Sequence, residues 1–245
     1  NNLKKTRQYY RLVQTASPRG RILDSSGRVV AGNRQAFSIA LDPSMFQRKS
    51  FGAAAVAITN AIAAASSVIG LEPPPGAMSI DAVRRHLRRS LALPYVVWRD
   101  VNAKTLAVFS EHADMLPGFE CLERNERRYP YGDMACHVIG YVGHGDAESI
   151  AGDERMNFRE KELAGRSGIE LYCDSYLRGV SGERRLVVDA RGFVVREDEL
   201  KASRPGPDLK LTIDAPLQIF VERVLRGEKG ACVIMNPRSG AVLAM

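Results

Sequence analysis

The side chains that most often carry chemistry are present in this 245-residue sequence, but they do not converge on any catalytic or metal-binding spacing. Cys121, Cys136, Cys173 and Cys232 are scattered, with no Cys-x-x-Cys pair and no histidine at ligand spacing, so no zinc site is expected. Cys173 and Cys232 lie in apolar stretches, where a buried free thiol is the default. His86, His112, His137 and His144 stand apart with no paired acidic residue, and each reads as a core or surface histidine. Gly165-x-x-Gly168 lacks the Lys-Ser/Thr of a phosphate loop, and no Gly-x-Gly-x-x-Gly follows a strand. No cofactor and no metal is expected.

The sharpest charge feature is basic. Arg84, Arg85, Arg88 and Arg89 collect on one side of a helix that follows Ser79, opposite Ile80, Val83, Leu87 and Leu91. This is either a solvated face or a contact for an acidic partner or phospholipid headgroups. Over the chain, 35 Lys and Arg against 28 Asp and Glu give 35 − 28 = +7, which attracts anions without selecting one. Nucleic acid is not expected as a partner, because no recognisable module and no interleaving of aromatic with basic residues occurs.

The elements that would position these residues alternate without strict βαβ order, which favours an α+β fold. Arg19 to Asp24 and Arg28 to Ala31 flank a glycine-containing turn and predict a hairpin, with Phe37 to Leu41 as a third strand ending at Asp42-Pro43. Phe51 to Leu71 carries no charge, but it is alanine-rich and interrupted by Thr59, Asn60, Ser66 and Ser67; a packed helix is expected rather than a membrane span. Tyr95 to Arg99 and Phe119 to Glu123 predict strands, and Ala103 to His112 a helix. Ser167-Gly168-Ile169-Glu170 has the form of a capping box opening a helix that ends at Arg178-Gly179. Arg185 to Asp189 and Phe193 to Arg196 predict a hairpin through Ala190-Arg191-Gly192.

Ser203-Arg204-Pro205-Gly206-Pro207 punctuates the chain like a domain boundary or linker. Beyond it come a strand over Leu209 to Ile213 and a helix capped by Asp214. That helix has a continuous apolar face of Leu217, Phe220, Val221, Val224 and Leu225. A strand from Gly230 to Met235 then turns through Asn236 to Gly240 into Ala241 to Met245. Elements this apolar need further layers, so the sequence is expected to stop inside a second domain. Asn1 to Arg11 is polar and charged and is not a secretory signal.

Several separated motifs resemble class B penicillin-binding proteins. They are Arg19-Gly20-x-Ile22-x-Asp24-x-x-Gly27, Arg127-x-Tyr129-Pro130-Tyr131-Gly132 leading to His137-Val138-Ile139-Gly140-Tyr141-Val142-Gly143, and Gly165-x-Ser167-Gly168-Ile169-Glu170 ending in Leu177-Arg178-Gly179-x-x-Gly182. Leu211-Thr212-Ile213-Asp214 and the run from Gly230 to Met245 resemble the entry to that family's transpeptidase domain. The His-Val-Ile-Gly-Tyr-Val-Gly run is most similar to the elongation-type member, with the division type as the alternative. One departure is Asp24-Ser25-Ser26-Gly27 where the family usually has Asp-Arg-Asn-Gly, which leaves one family charge unsupplied.

The resemblance implies a pedestal over 1–204 made of an anchor and an inserted head at about 42–164, followed by the start of a transpeptidase domain at 205–245. Arg19, Gly20, Asp24, Gly27, Arg127, Tyr129, Pro130, Gly132, Gly165, Gly168, Glu170, Arg178 and Gly179 would hold that pedestal together rather than react. It further implies a RodA-type glycosyltransferase and an MreC-type scaffold as partners, a homodimer, a membrane helix in front of Asn1, and a place at the periplasmic face of the bacterial inner membrane. Family members acylate a serine in Ser-x-x-Lys with Ser-x-Asn and Lys-Thr-Gly. No serine here has a lysine three places on and no Lys-Thr-Gly occurs, so no catalytic residue is expected in this chain. Glu170 is expected to accept from Arg19 or Arg127 across the pedestal, or else only to cap its own helix.

Overall fold

Turn and cap chemistry settle the local structure before any long-range contact does. In the computed structural model, which describes residues 9–46, 50–91, 93–144, 158–159, 163–189 and 193–245, the chain forms two compact units. The first comprises Asn1–Leu12, Gln35–Asn125 and Arg184–Glu199; the second comprises Val13–Arg34, Glu126–Glu183 and Leu200–Met245.

In the first unit the alanine-rich segment is a helix over Phe51–Ile69. Ser50 caps its start by accepting from Ala53 N, and Gly70 ends it at φ 69. It is long and apolar enough to cross a membrane. Its buried Ala54, Ala55, Ile58, Ile62 and Ala65 nevertheless recur at helical spacing and pack in one core with Val83 and Leu87 of the Ile80–Arg89 helix. Ser79 caps that second helix as expected, with its hydroxyl accepting from Ala82 N. Ile80, expected on the apolar face, is 41% exposed at the first position of the helix.

The strand Tyr95–Val101 pairs antiparallel with the Val29–Leu41 strand, Ile39 opposite Trp98 and Leu41 opposite Tyr95. Trp98 is buried, and its indole N–H donates to Glu72 O at 3.1 Å, so burial costs it no hydrogen bond. Val29–Leu41 is one continuous 13-residue strand, where the sequence suggested two. No proline interrupts Gly32 to Ala36, so nothing withdraws a ladder donor. The Gly182–Val188 and Val194–Lys201 strands are neighbours, tied by Arg184–Glu197 at 2.7 Å and Arg185–Asp198 at 3.0 Å. The expected turn at 190–192 lies outside the described residues.

The second unit is built on the short hairpin Ile22–Leu23 against Val29–Leu41, with Ile22 opposite Ala31. Leu209–Lys210 adds in parallel beside Ile22–Leu23. Val142–His144 pairs antiparallel with Leu163–Gly165. Ile22, Val30, Ala31, Met134, Ala135, Ile139, Leu177 and Ala215 form the core. The proline-glycine stretch expected as a boundary is hydrogen-bonded in this unit: Gly206 N donates to Pro18 O, and Val180 bridges Arg204.

The helix Ala215–Leu225 starts as its sequence requires, with Asp214 accepting from Leu217 N and Pro216 in the first turn. Its apolar face is not continuous with the core. Ala215, Gln218 and Val221 are buried, whereas Phe220 and Val224 are each 61% exposed. Gln218 takes a core position because its amide finds partners on both sides, as described below. The expected Gly230–Met235 strand shrinks to Ile234–Met235, paired with Val242–Ala244 across the Asn236–Gly240 turn.

Candidate functional site

Three distant segments of the second unit meet at the Glu170 carboxylate. The short helix Gly168–Tyr172 carries it inward, fully buried. Arg19 donates from Nε to Glu170 Oε2 at 2.7 Å and from Nη2 to Glu170 O at 2.8 Å. Arg127 donates from Nε to Glu170 Oε1, also at 2.7 Å. The arginine side chains are 3% and 2% exposed and that of Glu170 is 0% exposed. A cluster this dry is tolerable only if its charge cancels. Asp174 Oδ1 accepts from Arg19 Nη1 at 2.8 Å, so the two buried guanidinium groups face two carboxylates, and a third arginine, the more exposed Arg178, also pairs with Asp174.

Around this core most of the remaining donors find acceptors; among the described residues the buried Arg127 Nη2 and Arg178 Nε do not. Arg127 Nη1 donates to Gly20 O at 2.8 Å, and Asn33 Nδ2 donates to Arg19 O at 2.6 Å. Tyr129 OH lies 3.4 Å from Glu170 Oε1. Burial, reinforced by the Glu170 charge, pushes the Tyr129 phenol up to about 12. For Asp174, burial opposes ionisation. It is outweighed by the Gly165 N–H at 2.8 Å and by Arg19 and Arg178, which hold the carboxyl below its ordinary value.

The capping box is not formed. Ser167 makes no side-chain cap, and Glu170 turns away from its own helix toward the arginines. Two charge-assisted hydrogen bonds in a dry site outweigh one backbone N–H at a helix end that water can satisfy. Asp174 and Asn33 belong to the cluster and were not singled out from the sequence. Asp174 was legible in part, because Glu170, Asp174 and Arg178 follow one another at i, i+4 spacing on a helical stretch.

Asp24 forms a second buried acceptor. Its Oδ1 receives Ser26 N at 2.9 Å and Arg28 N at 2.7 Å, and its Oδ2 receives Ala215 N at 3.3 Å at the head of the last helix. Burial resists its charge, but these backbone donors and Arg28 outweigh it and lower its pKa. Where the family motif has an arginine directly after the aspartate, the Arg28 guanidinium reaches Asp24 Oδ2 at 3.2 Å and supplies a charge from four residues on.

The motif glycines do two things. A Cβ on Gly165 would lie 2.0 Å from Glu170 O, and one on Gly20 2.0 Å from Pro207 O, so both are places where backbone touches backbone. Gly27, Gly132, Gly168 and Gly179 all have positive φ, and Gly132 closes the turn over Tyr129 and exposed Pro130.

The basic residues are elsewhere. Arg84, Arg85 and Arg88 are exposed on the Ile80–Arg89 helix of the first unit, with Asp81 3.9 Å from Arg84; the Arg89 side chain lies outside the described residues. Cys173 and Cys232 are half-buried rather than buried, and Cys121 and Cys136 are exposed. His86 is a packed histidine: it contacts Leu93 O at 2.8 Å and meets Tyr95 edge-on, and burial lowers its pKa.

The buried cluster ties together three segments that are far apart in the sequence. The chain belongs to the penicillin-binding protein dimerisation domain family, whose pattern matches residues 14–211. It has the α+β pedestal fold of that family. It is 31% identical over 240 residues to the peptidoglycan D,D-transpeptidase MrdA of Escherichia coli (strain K12), covering 96% of this chain and 36% of that protein. Penicillin-binding protein 2A of Bacillus subtilis (strain 168) is 31% identical over 189 residues, 69% of this chain and 26% of that protein. The chain thus spans about a third of the length of the curated relatives it matches. Among solved structures, the complex of penicillin-binding protein PBP2 with MreC from Helicobacter pylori superposes with a TM-score of 0.65 at 19% identity, over 98% of this chain and 42% of that one.

Proposed function

We propose that this chain is the non-catalytic part of an elongation-type peptidoglycan D,D-transpeptidase, lying at the periplasmic face of the bacterial inner membrane. There it positions the catalytic part and presents surfaces to other cell-wall proteins. The observation that carries this reading is the Arg19–Glu170–Arg127 cluster, which binds together motifs 151 and 43 residues apart and contains no reactive group. In this reading 1–204 is the pedestal, with a head inserted at about 42–164, and 205–245 opens the transpeptidase domain. Arg19, Asp24, Arg127, Glu170 and the motif glycines are structural. A membrane helix of the longer protein anchors it.

The structural neighbour in complex with MreC supports an MreC-type scaffold as partner. A RodA-type glycosyltransferase and a second copy of the chain complete the proposed assembly, with Arg84, Arg85, Arg88 and Arg89 as a partner contact. Labelling with a fluorescent penicillin tests the central claim. The longer gene product should form a covalent adduct and the 245-residue chain none. An adduct on the short chain, or none on the long one, overturns the reading.

A further inference from the structure

One carboxylate, that of Glu222, links three segments of the second unit. Its Oε1 accepts from Ala135 N at 2.8 Å and from Gln218 Nε2 at 2.8 Å. Gln218, fully buried, also donates from Nε2 to Met245 O at 2.6 Å and accepts Met245 N on Oε1 at 2.8 Å. The Gln218 amide therefore does for Met245 what a neighbouring strand does: it takes one N–H and gives one. Both Nε2 protons are used, which leaves this buried amide no alternative arrangement of equal quality.

The other end of the relay is strained. Ala135 is buried in the core with φ 49, a left-handed conformation that costs a residue with a Cβ. It directly precedes the Cys136–Ile139 helix, so its N–H has no helical partner, and Glu222 supplies the acceptor. At its start the Ala215–Leu225 helix is held by Asp24 through Ala215 N. The helix is thus fixed to the Tyr129–Ile139 segment at one point, to Asp24 at another, and through Gln218 to the last strand.

We propose that Glu222 and Gln218 are positioning residues: through them the conformation of the Ala135 loop sets the place of Met245 and of whatever follows it. This rests on the function proposed above. In that reading the chain beyond Met245 carries the nucleophile, and the loop and the reacting serine are coupled through two side chains that never touch substrate.

Amide hydrogen exchange on the 245-residue chain tests the relay directly. Glu222→Ala should speed exchange at both Ala135 and Met245 by roughly tenfold or more, the scale of a lost hydrogen bond to a charged group. Glu222→Gln, which keeps an acceptor oxygen, should restore part of the protection. Acceleration at Ala135 alone overturns the coupling. Because glycine adopts positive φ freely, Ala135→Gly should shrink the effect of Glu222→Ala at the loop; an undiminished effect overturns the part assigned to strain.

In the longer protein, Glu222→Ala should slow penicillin acylation roughly tenfold through the rate constant rather than through binding, as misplacement of a reacting group does. Unchanged acylation beside altered exchange overturns the positioning role. If the unsubstituted long protein does not acylate, the transpeptidase reading falls together with the positioning role, and the exchange data still decide whether the relay exists.

Discussion

Removing the Glu170 carboxylate tests the reasoning about the buried cluster most severely. In Glu170→Ala, Arg19 loses its acceptor at 2.7 Å and Arg127 loses another at the same distance, while both guanidinium groups remain in side chains no more than 3% exposed. Breaking a buried pair by deleting one partner costs about 3–5 kcal/mol, and here one deletion orphans two donors, so the upper end applies. Arg127→Ala leaves Glu170 still paired with Arg19 and should cost less, at about 3 kcal/mol. In the double variant the Arg127 charge that Glu170→Ala would strand is gone. The double loss should therefore fall short of the sum by about 1–3 kcal/mol.

Because the chain forms two units, a single melting curve is not a two-state measurement. The assay is urea-dependent amide exchange at Arg19–Asp24 and Gly168–Leu177, with emission of the single tryptophan, Trp98, reporting the other unit. Additivity within about 0.5 kcal/mol would refute the cluster as a cooperative unit.

Other expectations follow from individual contacts. Asp24 and Asp174 have folded pKa values below the ordinary carboxyl range, so they stabilise the fold above about pH 3.9. That contribution should vanish as pH falls from there through their lowered values, which carboxyl NMR titration would follow. Glu120 behaves oppositely: partial desolvation of this surface-exposed carboxyl, with Asp42 and Glu197 beside it, raises its pKa, so it is neutral in both states well below about pH 4.3 and opposes folding at neutrality. Glu120→Gln should accordingly raise the urea midpoint at pH 7 and leave it unchanged at pH 3. Gly165→Ala forces a Cβ to within 2.0 Å of a backbone oxygen and should cost about 3 kcal/mol or more in urea unfolding. Gly230→Ala, with nothing within 4 Å, should be neutral in the same assay. In an alkaline ultraviolet titration, Tyr129→Phe should remove a phenol step near pH 12.

Local chemistry made much of the fold legible. Ser50, Ser79, Asn102 and Asp214 all sit at helix starts with their side chains on backbone N–H groups, because capping depends on a few neighbouring residues and little else. The alanine-rich helix, the first hairpin and the Asn236–Gly240 turn were readable for the same reason. The motifs also announced that Arg19, Arg127 and Glu170 belong together.

What each charged group chose could not be read so locally. A serine and a glutamate three apart satisfy the capping-box pattern, yet Glu170 abandons its own helix because two arginines arrive from segments more than 40 residues away. The Ala215–Leu225 helix offers Phe220 and Val224 as readily as Val221 to a core. Only the position of Met245 and of Glu222 makes Gln218 the residue that goes inside. The sequence by itself determined where helices and turns begin, since those free energies are local. The tertiary structure decided which polar groups are buried, since a buried polar group is stable only when partners from elsewhere in the chain are already in place.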